Sequence, residues 1–563
     1  MQTTVQVYLV IIILVCITHP IVSQSYVVDS KSSFDNALES AASGDSIIWK
    51  AGTYSNIYLE IKKSNLYIGA EQPGETIFTG FSRAFITGDR IKMEGFQYLD
   101  GDIGTRHVIE TRGSHNHFSH INIEGYTSYK YFIIKEESQY DTVSYCNFEN
   151  RLNLDDQNIL SILVDDTNPG YHLIQYCSFK NFDGTGNDMG IEPIRIGVST
   201  QAEFNSRTIV EYCYFTQCSG DGEIISNKAG QNIFRYNTFE DNPRAELVLR
   251  HGDQGVVYGN FFLNNYGGVR VREGQGHIIF NNYFHTTSSR TIYLQNDDSD
   301  PLKDITIAFN TIINCAEVRL GGTGNDKPDN VTFANNIFIQ PKDDLFDDPT
   351  GNETWISNIA MGSLGMNKPD GITNIDPLLH INDKGYYELS ESSPAIDAAM
   401  GGYPTLPEFM GVQYDHLINL DLMQQSRPDD TALRDIGCLE FPHVRVVQPF
   451  ATSKNTGPSY LQDNSTSSID IISKDLFRIY PNPAHDAIQI ELQSPGAGFV
   501  EIDLVCINGR KIKTIPTQTS HQGIITISDD ISDLPPGWYI VTFRSKKESS
   551  DTWQSSAAYF LKQ

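Results

Sequence analysis

One phrase returns eight times along this chain, and it limits the possible folds more than any other feature. The copies are "VSYCNFEN", "IQYCSFKN", "VEYCYFTQ", "FRYNTFED", "VYGNFFLN", "IFNNYFHT", "IAFNTIIN" and "FANNIFIQ". Each has an apolar residue, then Cys or Asn three places on, then Phe or Ile two places further. The polar position falls at Cys146, Cys177, Cys213, Asn237, Asn260, Asn282, Asn310 and Asn336, in steps of 22 to 36 residues. Self-similarity at such a period marks a solenoid, whose repeats bury their apolar sides only by stacking. Within each phrase apolar residues alternate, which is the period of a strand. Coils of about 22 residues, with corner loops where the step is longer, predict a parallel β-helix. The fixed polar position predicts an internal ladder of stacked amides at a turn, headed by three small buried thiols.

The flanks fit that architecture. In "SSFDNALESAASGDSIIWKAGTY" (Ser32–Tyr54), Phe34, Ala37, Leu38 and Ala41 share one helix face. Ser33 or Ser32 is placed to cap that helix, which would cover the open N-terminal end of the solenoid. "SSPAID" (Ser392–Asp397) and "LRDIGCLEF" (Leu433–Phe441) read as its final strands. "ATSKNTGPSYLQDNSTSS" then reads as a linker, being polar and aperiodic. From about Lys474, alternating strands joined by Gly, Asn and Pro turns predict a small β-sandwich. Its "YPNPAHD", "INGRKI" and "ISDLPPGWYIVTF" resemble the C-terminal sorting domain of the type IX secretion system. That resemblance implies the type IX machinery as a partner, and release from the cell or attachment at its surface. The expected organisation is a leader over 1–23, a β-helix over 24–445, a linker over 446–473 and a sorting domain over 474–563.

The leader is inferred from the apolar run Val7–Ile17, followed by a small residue at Ser23. The run is shorter than the roughly 20 residues a membrane span needs, so no span is expected in the mature protein. Removing Cys16 leaves seven cysteines, with no metal-type spacing and no sign of a disulfide framework. The formal net charge of −29 argues against nucleic acid as a partner. An anionic polymer would need a local basic groove or a bridging cation.

Such a groove can be assembled from neighbouring coils. "NDMGIEPIRIGVS" contributes Glu192 and Arg195, and "GDGEIISNK" contributes Asp221, Glu223 and Lys228. "AELVLRHGD" contributes Arg250 and His251, and "GGVRVREGQGH" contributes Arg270, Arg272 and His277. Stacking these strings sets Glu192 above Glu223 and Arg250 above Arg272. Three carboxylates then converge beside a basic stripe. A hard divalent ion, Ca²⁺ outside the cell, would relieve their repulsion. The bland reading is a mixed charged face that merely solvates a sheet. Strand parity poses a difficulty: Glu192 matches the apolar Ile194, and Lys228 differs from Glu223, so a bend must intervene.

With "EPIRIGVS", "GEIISNK", "YNTFEDN", "LVLRHGD" and "GNFFLNN" in that order, the chain from about Gln24 to Phe441 resembles the family six polysaccharide lyases. These include alginate lyases and chondroitinase B. The resemblance implies a right-handed parallel β-helix and cleavage of a uronate polymer by β-elimination. It implies Lys228 as catalytic base, Arg250 as catalytic acid, and Glu192, Asp221 and Glu223 as calcium ligands. Arg195, His251, Arg270, Arg272 and His277 are then expected to bind substrate. The Lys-to-Arg segment is one residue longer than the family's pattern, an excess expected in the turn "EDNPRAE". Alginate is the expected substrate. A dermatan- or chondroitin-type glycosaminoglycan is the alternative within the class, and a noncatalytic glycan-binding adhesin the alternative outside it. A hydrolase would need a carboxylic acid pair, which would leave Lys228 and Arg250 without roles.

Overall fold

The structure is a computed structural model describing residues 23–462, apart from 154–156, 169, 184–189, 296–301, 407, 410–411 and 414–416. Beyond these it describes 477–480, 484, 486–494, 498–506, 511–515, 523–534, 537–547 and 554–562. The leader up to residue 22, the linker from 463, and parts of "NDMGIEPIRIGVS", "YPNPAHD" and "INGRKI" lie outside the described residues.

The chain winds as a parallel β-helix. Three sheets of fourteen, fourteen and twelve strands run its length, each strand pairing in parallel with the equivalent strand one coil on. The first sheet begins at Ser25–Val28, the second at Gly52–Ser55 and the third at Tyr58–Ile61. Between the first and second sheets the chain bends at one left-handed residue per coil, including Tyr145, Tyr176, Tyr212, Tyr236, Asn281, Phe309 and Asn335. Such a conformation costs a non-glycine residue about 1–2 kcal/mol. It also turns peptide groups inward, where they need partners.

The ladder residue follows each bend and supplies those partners. Asn282 Oδ1 accepts from both the backbone N–H and the side-chain amide of Asn260, each at 3.0 Å. The Asn260 amide also donates to the carbonyls of Phe234 and Tyr258. The pattern repeats from Asn237 through Asn310 and Asn336 to Asn358, one coil beyond the repeat read from the sequence. Cys146, Cys177 and Cys213 head the ladder as free, buried thiols. Beside it, Phe148, Phe179, Phe215, Phe239, Phe262 and Phe284 stack ring on ring at 4.6–5.1 Å, close to the strand spacing.

A helix, Lys31–Ser40, packs on the first coil through Phe34 and Ala37, with Phe34 stacked on Trp49. Its cap is Ser30, not Ser32 or Ser33; Ser33 returns the bond as the other half of a capping box. "SSPAID" and "LRDIGCLEF" are not strands either; the last strand of the solenoid is Ile372–Asn374. Those two segments are irregular chain laid on its flank. Ile436 N–H donates to the Ala395 carbonyl, and Gly437 N–H donates to the Asn335 carbonyl. Leu389, Ala395, Leu417 and Ile436 cover outward apolar residues of the first sheet, such as Ile233, Val256 and Ile278. Leu422, Leu439 and Val447 cover Phe261, Leu263 and Tyr283 of the second.

The stretch expected to be a linker from 446 is held on the solenoid as far as Gln462. Val447 and Ala451 are buried. Phe450 meets Tyr236 edge-on at 5.4 Å, Gly457 N–H donates to the Tyr176 carbonyl, and Tyr460 Oη donates to the carbonyls of Phe96 and His120. Polar composition misleads here, because the segment docks through a few aromatic and aliphatic side chains. The C-terminal unit is an antiparallel β-sandwich of three- and four-stranded sheets around Ile488, Ile490, Ile502, Leu504 and Val541. Among the described residues no helix is long and apolar enough to cross a membrane.

Candidate active site

The charged residues singled out above gather on the third sheet. Its outward row runs, in register, Ser161, Arg195, Ser226, Val248, Arg270, Tyr293 and Arg319. Just past the strand ends a second row forms. Lys228 N–H donates to the Ile196 carbonyl, Arg250 N–H to Asn227 and Arg272 N–H to Leu249, so Lys228, Arg250 and Arg272 follow one another coil by coil. The turn after Glu240 is one residue longer than its counterpart on the next coil, which runs from Leu263 to Val269. It absorbs that residue without loss of register, since Asn227 still pairs with Leu249.

The parity problem resolves through a β-bulge. Glu223 pairs with Glu246 but Ile225 pairs with Leu247, leaving Ile224 as an extra residue. Ile224 and Ile225 are both buried, Glu223 turns to the charged side, and Ser226 and Lys228 resume outward positions. Glu192 precedes its strand, Ile194–Ile196, so strand alternation does not bind it.

The carboxylates are buried and partnered. Arg195 holds both oxygens of Glu192, at 2.7 and 2.6 Å from Nη2. Glu223 Oε1 accepts from Arg250 at 2.6 Å and Arg270 at 3.0 Å. Asp221 accepts from the backbone N–H groups of Glu223 and Gly190, fixing the turn into the strand. Glu223 Oε2 is buried with no hydrogen-bond partner among the described residues, as are the Nε groups of Arg250 and Arg270. Burial pushes the Glu192 carboxyl up, and neighbouring Glu223 adds to the rise against the pull of Arg195.

Lys228 is 9% exposed, and its ammonium makes no hydrogen bond or ion pair among the described residues. Burial, then Arg195 and Arg250, bring its proton affinity below that of an ordinary lysine, while Glu192 and Glu223 act the other way.

The two histidines separate. His251 Nδ1 contacts the Glu273 carboxylate at the edge of the basic row. His277 is fully buried, with Nδ1 accepting from Gly255 N–H and Nε2 at 3.0 Å from the Glu273 carbonyl. It supports a turn, and the expectation that it touches substrate is corrected.

Glu246 is a site residue that the sequence reading missed. It lies beside Glu223, 3.5 Å from Arg270 Nη1, and burial pushes its carboxyl up to about 7 against Arg270 and Arg290. Counting back from Arg250 by twos through Val248 reaches it, so strand parity could have found it.

The chondroitinase B family model matches residues 28–337, and the secretion-system C-terminal sorting domain model matches 478–553. Among solved structures, the chain is 22% identical to the family six alginate lyase AlyGC, with a TM-score of 0.59. That match covers 65% of this chain and 55% of AlyGC, so the chain spans about half the length of that relative. A mannuronic acid-specific family six lyase from human gut microbiota is 23% identical, with a TM-score of 0.56, covering 63% of this chain and 91% of its own. The family six lyase Pedsa3628 from Pseudopedobacter saltans is 21% identical, with a TM-score of 0.52, covering 61% and 94%. At these identities the likeness is one of fold. No curated protein matches the chain.

Proposed function

The chain belongs to the chondroitinase B family, and from that membership we propose that it is a secreted polysaccharide lyase cutting alginate by β-elimination. One observation supports this most. Lys228 is a buried amine whose ammonium makes no hydrogen bond or ion pair among the described residues and whose proton affinity is lowered, one coil from Arg250 and flanked by arginines. A polyuronate would bring carboxylates to Arg195, Arg270 and Arg272, whose forked guanidinium groups suit them. Neutral Lys228 takes the C5 proton. The electron pair released forms the C4–C5 double bond, and the C4–oxygen bond to the leaving sugar breaks. Arg250 stabilises the departing oxygen, and its proton comes from that guanidinium or from a water held there. Among the described residues the buried Nε donors of Arg250 and Arg270 lack acceptors.

Glu192, Asp221 and Glu223 offer oxygen donors, and Glu223 Oε2, unpartnered among the described residues, suits a hard cation, although those residues gather no group of three ligating side chains around a metal position. We assign Ca²⁺ to these three residues. When bound it would offset the charge of the substrate carboxylate next to C5 and so make that proton easier to remove. The sorting domain supports export to the cell surface or beyond, and the leader over 1–23 belongs to the same proposal.

The test is ultraviolet absorbance from unsaturated uronate when purified protein meets alginate. A rise on alginate is expected. A rise on dermatan sulfate alone would transfer the substrate to the glycosaminoglycans, and binding to either without absorbance would make the protein an adhesin. Chelation is expected to lower the rate and added Ca²⁺ to restore it. A full rate in chelator would remove calcium from the proposal.

A further inference from the structure

Away from the site, the N-terminal coils carry a patch that the proposed reaction does not use. Phe81 and Tyr129 are 41% and 37% exposed, unusual for aromatic side chains in a solenoid that buries most of its rings. Arg106 lies 5.1 Å over the Phe81 ring, and its carbonyl accepts from Tyr129 N–H on the next coil. Lys130 lies 4.9 Å from the Tyr129 ring. One coil before, Arg83 covers Tyr58 at 4.3 Å. Arg83 and Arg106 make no ion pair among the described residues, although the chain carries a net charge of −29. Two carboxylates of these coils are engaged elsewhere, Glu60 with Lys62 and Glu110 with Arg112. The local field is positive: after burial, Lys130, Lys135, Arg83 and Arg112 are what lower the His107 imidazole, to about 4.

The patch stands at the corner leading into the third sheet, the corner that also supplies Glu192, Asp221 and Glu246. The strand after Tyr129 is three coils before the one that Lys228 follows, and the strand after Phe81 is five coils before it. At about 4.8 Å per coil this places the patch roughly 14–24 Å from the base along the solenoid axis, at the opposite ends of the strands. An extended uronate chain running obliquely across the third sheet would reach it.

We propose that Phe81, Arg83, Arg106 and Tyr129 form a second binding surface for an anionic polysaccharide, gripping the polymer several sugars away from the bond being cut. Exposed rings take the apolar faces of sugars, and unpaired guanidinium groups take their carboxylates. This rests on the lyase reading for the identity of the polymer, while the binding itself does not require catalysis.

The experiment compares the full chain with Phe81→Ala/Arg106→Ala on two probes, polymeric alginate and a uronate tetrasaccharide too short to span both places. The expected result is a KM for the polymer raised on the order of tenfold, with kcat and tetrasaccharide turnover unchanged. Equal KM values for the polymer would overturn the proposal, as would an equal loss on both probes, which would signal damage to the fold or the site. Should the double variant not fold, Arg106→Gln alone is measured the same way. Should the parent chain cleave neither probe, retardation in alginate-containing gels decides. Retardation lost on substitution supports the surface even though the lyase reading fails; retardation absent or unchanged overturns it. A change in oligomeric state on substitution, with polymer KM unaltered, would make the patch a contact between copies.

Discussion

Lys228 and Arg250 owe their meeting to register. Neither residue is unusual in composition, and the repeat alone brings them to consecutive coils. Their types and order were legible in the sequence; their surroundings were not, because burial and pairing come from coils read separately. Replacing Lys228 by Ala is expected to cut kcat by about 10²–10⁴ with little change in KM, if the amine moves a proton in the transition state. An equal loss of binding would make it a binding residue instead. Glu246 makes a prediction about stability. Its carboxyl titrates near 7 in the fold against an ordinary 4.5. Between those values the folded chain keeps a proton that the unfolded chain has lost, so stability is expected to fall as pH rises across that window. Glu246→Gln should flatten the decline in melting temperature from pH 5 to 8. A decline as steep as the parent's would show that Arg270 fully compensates the buried charge.

Strands and turns were the most legible elements, because each coil repeats the same bend and satisfies it with the same side chain. The bulge at Ile224 was not legible. Its effect is to rotate Glu223 relative to Lys228, and parity could only announce that some irregularity was needed. The final strands were misplaced for a related reason: apolar residues that cover a solenoid from outside look like those that fill it. The ladder gives the test at this scale. Asn282→Ala removes the acceptor of the Asn260 backbone N–H and leaves buried groups unpaired. It is expected to destabilise the protein by about 2–4 kcal/mol in denaturant unfolding. A similar loss for an exposed asparagine such as Asn264 would show that the ladder is not special.

Two of the solenoid's outer faces lie partly under the C-terminal segment, and the charged side chains stand on the third. A chain ending at residue 462 is therefore expected to keep the parent's thermal transition and the lyase activity proposed for it, while lacking the sorting domain. A chain ending at 443 bares Leu263, Tyr236 and their neighbours, and is expected to melt earlier and to aggregate; unchanged melting would show that residues 444–462, a strap across the solenoid, contribute nothing. The strap also dictates a timetable. Tyr460 bonds to carbonyls 364 and 340 residues earlier in the chain, so the last contacts to form join the end of the module to its beginning. Coils can stack as they are synthesised, but closure waits for nearly the whole chain, and contacts at such separations form slowly. The sorting domain follows the strap in sequence, so a polypeptide long enough to bear the export address already contains every residue needed to close the fold it exports.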